Sequence, residues 1–312
     1  MSETAEVSRR DAWLMAARPH TLPAAAAPVI VGTGLAVGER VFVLLPALAA
    51  LLGAALIQIG TNFANDYFDA VKGADTDDRQ GFTRVTQSGI LSPETVRRAT
   101  VLTFGLAILV GVYLVYVGGL PILVIGLASV AAGVLYTGGP YPFGYYALGD
   151  LFVFVFFGLI AVTGTYYVQA AALLGSPFPL VPPPGTIPIS AVLASLPMAA
   201  ITTDILVVNN IRDRETDRAA GKVTLAVLIG YRGSRIEYVG LLGLAYLVPV
   251  WFVVGAAYDL TVLLPLVTLP LAGLVTWTVL RKTDGPTLND ALTRTGQLLF
   301  AYAVLFGLGL AI

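Results

Sequence analysis

The chain has 312 residues, of which 57% are hydrophobic and 12% charged, with a formal net charge of −1. A soluble domain carries roughly 25% charged residues, so there is too little charge here to coat a water-facing surface, and the absence of cysteine excludes disulfides, thiolate metal sites and cysteine nucleophiles together. No basic stripe with interleaved aromatics runs through the sequence, which argues against a nucleic-acid partner.

The N-terminal MSETAEVSRR places two glutamates before its basic pair, and no small-residue cleavage site closes a short apolar core, so it does not read as a cleaved leader. Stretches apolar enough to cross a hydrocarbon core of about 30 Å then recur nine times, at 22–38, 41–64, 96–117, 120–138, 149–174, 189–209, 236–256, 262–280 and 296–312. They are rich in Leu, Val, Ala and Gly and lack the short alternating pattern of a barrel strand, so the expected form is helical. The fold class is all-α: one polytopic membrane domain over 1–312 with nine transmembrane helices. Placing the N-terminus in the cytoplasm puts 17 of the 18 Lys and Arg residues on the inner side and leaves Arg40 outside. That asymmetry supports a cytoplasmic N-terminus and an external C-terminus. The connections 39–40 and 118–119 read as tight hairpins. Those at 66–95 and 210–235 read as long polar cytoplasmic loops, where function is expected. The uncharged, proline-rich stretch from Ser176 to Gly185 reads as a stiff external connector.

Two acidic motifs close the second and sixth apolar segments. If the helix continues, Asn62, Asp66 and Asp69 fall at i, i+4 and i+7 and share a face, with Asn65 beside them and Lys72 and Arg84 following. In the second motif Asn209, Asp213 and Asp217 fall at i, i+4 and i+8, accompanied by Asn210 and Arg212 and followed by Lys222. The copies, at 62–84 and 209–222, suggest pseudo-repeat halves of about four helices whose motifs face one another across a shared cavity. Mg2+ binds through one or two carboxylates plus substrate phosphate oxygens. Two facing Asp pairs suit two or more such ions bridged by a diphosphate, with Lys72, Arg84, Arg212 and Lys222 placed for the remaining phosphate oxygens. Asp77, Asp78, Arg214 and Glu215 read as solvated loop residues. A secondary transporter is the competing class, but transporter sites lie near the bilayer midplane, whereas these carboxylates cluster at one membrane edge. A phosphatidyl-group transferase would carry a D-G-x-x-A-R pattern, which is missing.

Four segments together resemble the UbiA superfamily of intramembrane prenyltransferases: Ala17-Arg18-Pro19-His20-Thr21-Leu22-Pro23; Asn65-Asp66-Tyr67-Phe68-Asp69 through Asp75; Tyr136-Thr137-Gly138-Gly139-Pro140 with Gly164-Thr165-Tyr166-Tyr167-Val168-Gln169; and Asn209-Asn210-Ile211-Arg212-Asp213 through Lys222. The resemblance implies helices around a central cavity, with the diphosphate under a cytoplasmic cap and the prenyl tail in a groove facing membrane lipid. It also implies that Asp66 and Asp69 coordinate one Mg2+ and Asp213 and Asp217 another. Asn62, Asn65, Lys72, Arg84, Tyr136, Asn209, Asn210, Arg212 and Lys222 would then contact substrate. Gly73 stands where the ubiquinone-type enzymes have a third Asp, with Asp75 two residues on, and Tyr136-Thr137-Gly138-Gly139-Pro140 lacks their Lys. Both features resemble the branch acting on 1,4-dihydroxy-2-naphthoate. The implied activity is transfer of a polyprenyl group from polyprenyl diphosphate to that acid with loss of CO2, giving demethylmenaquinone, in a bacterial or archaeal plasma membrane. 4-Hydroxybenzoate and homogentisate are the alternative acceptors. Tyr136, Tyr166 and Tyr167 are candidates to shield an allylic cation, and Thr165 and Gln169 to line a substrate pocket.

Overall fold

The computed structural model describes residues 7–73 and 84–312. Asp75, Asp77, Asp78 and Arg79 lie outside the described residues. The regular elements are helices: α1 (Arg9–Ala17), α2 (Leu22–Gly38), α3 (Leu44–Lys72), α4 (Pro93–Leu135), α5 (Gly149–Val153), α6 (Ala161–Leu174), α7 (Ile189–Ala219), α8 (Leu225–Ala256), α9 (Leu269–Arg281) and α10 (Gly285–Ala311). A π-helical stretch, Phe154–Ile160, joins α5 to α6, and a 3₁₀ stretch, Leu260–Thr268, leads into α9. In hydrocarbon no water can satisfy a backbone N–H or C=O, so each crossing segment must close its own hydrogen bonds, and helices do so. Side chains cap the starts of α1, α4 and α10. Ser92 accepts from the Thr95 N–H at 3.3 Å and Asp284 from the Thr287 N–H at 3.0 Å.

Among the described residues eight helical segments are long and apolar enough to cross a membrane. They differ in depth within the bundle. In α7, 72% of the most apolar stretch is buried, against 17% in α4, so α7 forms the centre and α4 a wall. The core runs along α2, α7, α8 and α10, with Leu35, Met198, Ile201, Phe252, Tyr302 and Phe306 buried together.

The 43 residues of α4 do not form one rod. Gly119, at φ 64° and ψ −150°, breaks the helix, and a Cβ at Gly119 would lie 1.8 Å from the Pro179 carbonyl oxygen. Both the left-handed φ and the lack of space demand glycine. The chain reverses there: Gly133 in the second limb lies against the Phe104 ring in the first, and Gly60 of α3 packs on the same ring.

Several helices outrun their apolar stretches. α3 continues to Lys72, α7 to Ala219, and α8 begins at Leu225 with a kink at Gly230 (φ 71°, ψ 175°). Most of the stretch 210–235 expected as a polar loop is therefore helix, as are the two ends of 66–95. Hydropathy marks where the hydrocarbon ends, whereas a helix continues into water as long as its residues tolerate it.

Candidate active site

A cavity of 570 Å³ opens between α2, α3, α4, α6 and α7. One end is polar, formed by Arg18, Asn62, Asn65, Arg84, Tyr136 and Asn209, and the rest is walled by residues such as Ala25, Ala50, Gly111 and Ile122. Ile108, Val112 and Leu127 line it while being 51%, 61% and 60% exposed, so the α4 wall opens outward toward lipid.

The first motif sits at the polar mouth because α3 stays helical through it. Asn62, Asp66 and Asp69 are all buried on one face. Asp66 Oδ2 accepts from the Thr86 N–H at 3.1 Å and the Thr86 hydroxyl at 2.6 Å, and Arg18 stands 4.0 Å from Oδ1. Asp66 Oδ1 is buried and, among the described residues, accepts no hydrogen bond. Asp69 Oδ2 accepts from Arg84 at 3.0 Å, and its Oδ1 accepts from the Tyr145 hydroxyl at 2.6 Å, with Lys222 Nζ at 3.7 Å. The last contact crosses between the motifs. Tyr136, on the segment after α4, lines the polar mouth of the cavity together with Asn65 and Arg84.

Other expected site residues have different partners. Asn62 Nδ2 donates to the Ala17 carbonyl and the Thr21 hydroxyl, both at 2.9 Å, tying α3 to the corner before α2. Asn65 Oδ1 accepts from the Thr137 hydroxyl at 2.9 Å. Lys72 Nζ donates to the carbonyls of Thr137 at 2.6 Å and Gly139 at 3.2 Å. Arg212, expected to meet phosphate, instead forks onto Asp213 at 2.7 and 2.6 Å and reaches Asn289 and Asn209, each at 2.7 Å. Its side chain is 1% exposed, and a buried guanidinium needs its donors met. Asn210 is buried at 7% exposure, while Asp217 is part-exposed at the end of α7.

Tyr166 and Tyr167 are 2% and 1% exposed and lie away from the cavity lining. Tyr166 donates to Glu39, and Tyr167 to the Gly118 carbonyl at 2.8 Å. Gln169 is wholly buried and donates to the Thr165 carbonyl, whereas Thr165 does line the cavity. Sequence reasoning missed Tyr145, Thr86 and the stack of Phe143, Phe152 and Phe156, with ring centroids 3.9 and 5.8 Å apart. It also passed over Asp150 and Asp204, both buried with neither carboxylate oxygen hydrogen-bonded by another described side chain. An acidic residue within or at the start of an apolar run was the available signal for these two.

Among the described residues no group of three acidic or histidine side chains closes into a metal cage. The donor set suits instead a hard cation that takes one or two carboxylates and completes its shell with phosphate oxygens and water. The buried, unsatisfied Asp66 Oδ1 fits such a cation.

The chain is 37% identical to the 1,4-dihydroxy-2-naphthoate octaprenyltransferase of Escherichia coli, covering 98% of this chain and 96% of that one. It is 36% identical to the protein of that name in Mycobacterium tuberculosis, with 94% of each covered. A solved UbiA homologue from Aeropyrum pernix superposes with a TM-score of 0.70 at 14% identity, over 92% of this chain and 96% of that one. Another, from Archaeoglobus fulgidus bound to DMAPP and Mg2+, gives 0.62 at 16% identity, over 94% and 98%. The model of the UbiA prenyltransferase family matches residues 25–309, and the chain is a member of that family.

Proposed function

We propose that the chain transfers a polyprenyl group from a polyprenyl diphosphate to 1,4-dihydroxy-2-naphthoate with loss of CO2, giving demethylmenaquinone in menaquinone biosynthesis. The meeting of the two motifs carries this reading. Lys222 of the second lies 3.7 Å from Asp69 of the first, beside a cavity that is otherwise apolar. The names of the bacterial relatives support the acceptor, and the Archaeoglobus fulgidus homologue bound to DMAPP and Mg2+ supports the donor.

Asp66 and Asp69 would hold Mg2+ on one side of the diphosphate and Asp213 and Asp217 on the other. When bound, Mg2+ neutralises charge on the departing diphosphate and so lowers the barrier to breaking the allylic C–O bond. Lys72, Arg84, Lys222 and Asn65 hold the phosphate oxygens. Arg212 orients Asp213 through its two-pronged contact, and Asn209 and Asn210 complete that wall. Tyr136 presents its phenol to the mouth of the cavity. The apolar walls take the tail and exclude water, which protects the allylic cation from hydrolysis. Ring faces of Phe152, Phe156 and Tyr136 attract the cation. The C–O pair leaves with the diphosphate, and the ring carbon bearing the carboxylate forms the new C–C bond. CO2 then departs and leaves its bonding pair to restore aromaticity.

In this reading the motif end faces the cytoplasm, in keeping with the distribution of Lys and Arg. Counting the limbs of α4 separately gives nine crossing segments, with the N-terminus inside and the C-terminus outside.

The test is incubation with Mg2+, radiolabelled prenyl diphosphates and a panel of 1,4-dihydroxy-2-naphthoate, 4-hydroxybenzoate and homogentisate. Lipid-soluble product is expected with the naphthoate, with one CO2 released per product from its labelled carboxyl. Product with 4-hydroxybenzoate alone would overturn the acceptor, and solute flux in proteoliposomes without any prenyl transfer would overturn the enzyme class.

A further inference from the structure

Tyr141, Tyr145 and Tyr146 lie close together on the segment between α4 and α5, yet the three side chains differ. Tyr141 and Tyr146 are 74% and 53% exposed, and their rings meet each other at 6.0 Å. That is the behaviour of interfacial aromatics. Tyr145 turns inward, and its phenol donates to Asp69 at 2.6 Å.

Both motifs fix the backbone that carries it. From the first, Lys72 donates to the carbonyls of Thr137 and Gly139, and the Thr137 hydroxyl donates to Asn65. From the second, the Val223 N–H donates to the Tyr145 carbonyl at 3.0 Å, next to the single bridge between Tyr146 and Val223. The segment therefore straps the end of α3 to the turn after α7. At its centre the Tyr145 ring lies 5.3 Å from Lys72 Nζ and 4.7 Å from Lys222 Nζ. Two ammonium groups of like sign, one from each half of the chain, meet a single ring whose face attracts cations. The phenol on Asp69 Oδ1 and Arg84 on Oδ2 together fix the orientation of that carboxylate.

We propose that Tyr145 is the positioning residue of the diphosphate site: its hydroxyl sets the Asp69 carboxylate for metal, and its ring holds Lys72 and Lys222 at the spacing that receives phosphate. The inference rests on the reading of Asp69 as a metal ligand. It assigns two separable tasks to one side chain, and two substitutions separate them. Tyr145→Phe removes the hydroxyl and keeps the ring, whereas Tyr145→Leu removes both.

Mn2+ uptake by the purified full-length protein, with inorganic pyrophosphate present, can be counted by electron paramagnetic resonance without turnover. Outer hydrogen bonds to metal-ligating groups are worth about 10–100-fold in metal affinity, so Tyr145→Phe is expected to weaken Mn2+ binding by about 10-fold or more. At saturating metal its KM for prenyl diphosphate should match wild type. Tyr145→Leu should weaken Mn2+ equally and also raise that KM. Equal Mn2+ binding by Tyr145→Phe and wild type overturns the inference alone. So does parallel loss of metal and diphosphate affinity in Tyr145→Phe together with a lowered melting temperature, which would mark a merely structural residue. Absence of Mn2+ uptake by wild type with pyrophosphate overturns the metal reading, and this inference with it.

Discussion

Glu39 and the Asp66–Asp69 pair lie at opposite ends of the bundle, separated by the 17 residues of α2, about 26 Å at 1.5 Å per residue. Glu39 is half-buried and Asp66 and Asp69 are buried, and the two ends treat their carboxylates differently. Glu39 accepts from the hydroxyls of Tyr166, Ser190 at 2.6 Å and Tyr258 at 3.0 Å, so neutral donors from three other parts of the chain satisfy both its oxygens. Burial, then the neighbouring carboxylate, pushes the Tyr258 phenol up to about 12, so the donor persists throughout the physiological range. At the motif end Asp66 and Asp69 gather Arg18, Arg84 and Lys222, and among the described residues one Asp66 oxygen accepts no hydrogen bond. A carboxylate closed by neutral fixed donors ties helices together. One left partly open among Arg18, Arg84 and Lys222 is what the proposed site for a metal and a diphosphate requires.

The largest effect that sharpens this contrast is expected from Asp66→Asn. The amide oxygen can still accept from Thr86, so the fold keeps its contacts while the charge on the open oxygen is lost. Turnover should fall by about 10²–10³-fold, the scale for removing one preorganised electrostatic group, while the melting temperature in detergent stays near wild type. Normal turnover in this variant would break the assignment of the motif end. Asp213→Ala is a poorer probe, because it strands the buried Arg212 guanidinium, and breaking a buried pair costs about 3–5 kcal/mol of stability.

Glu39→Ala should do the reverse. Removing the acceptor of three part-buried hydroxyls, which can turn to other partners once it is gone, should lower stability by about 1.5–3 kcal/mol, the worth of one hydrogen bond to a charged group. Thermal unfolding would register this, while turnover measured below the transition stays near wild type. If turnover collapsed and melting did not change, the two ends would be coupled and the distinction between tie and site would fail.

The all-helical class and the places of the long apolar helices were legible in the sequence because both depend on local spacing. Apolar runs and i, i+4 repeats are properties of neighbours along the chain. Helix ends were not legible, since α3, α7 and α8 extend past the hydrocarbon. Nor were side-chain partners. Arg212 and Asn289 are 77 residues apart and Tyr145 and Asp69 are 76 apart. Arg212, Tyr166 and Tyr167 are residue types that suit the chemistry, but their partners decide their roles, and those partners come from folding. Tyr145 offers no signal beside Tyr141 and Tyr146 until the strap is built.

Glu94 supplies the smallest expected effect and the sharpest control on the motif end. It lies in the first turn of α4 and pairs with Arg97 at 2.9 Å and Arg98 at 2.8 Å, all three side chains roughly half exposed or more. The pairing holds its carboxyl down at about 2, yet at a water-facing surface such pairs contribute little. Glu94→Ala is expected to leave melting and KM unchanged while removing one negative charge from this end of the molecule. If diphosphate capture depends on contacts at Lys72, Arg84 and Lys222, that extra positive balance is invisible at 0.15 M salt, where screening acts within about 8 Å. A lower KM that disappears as salt rises would mean that the field of the whole face recruits the substrate, and the contrast between the two ends would then be one of net charge rather than of open and closed carboxylates.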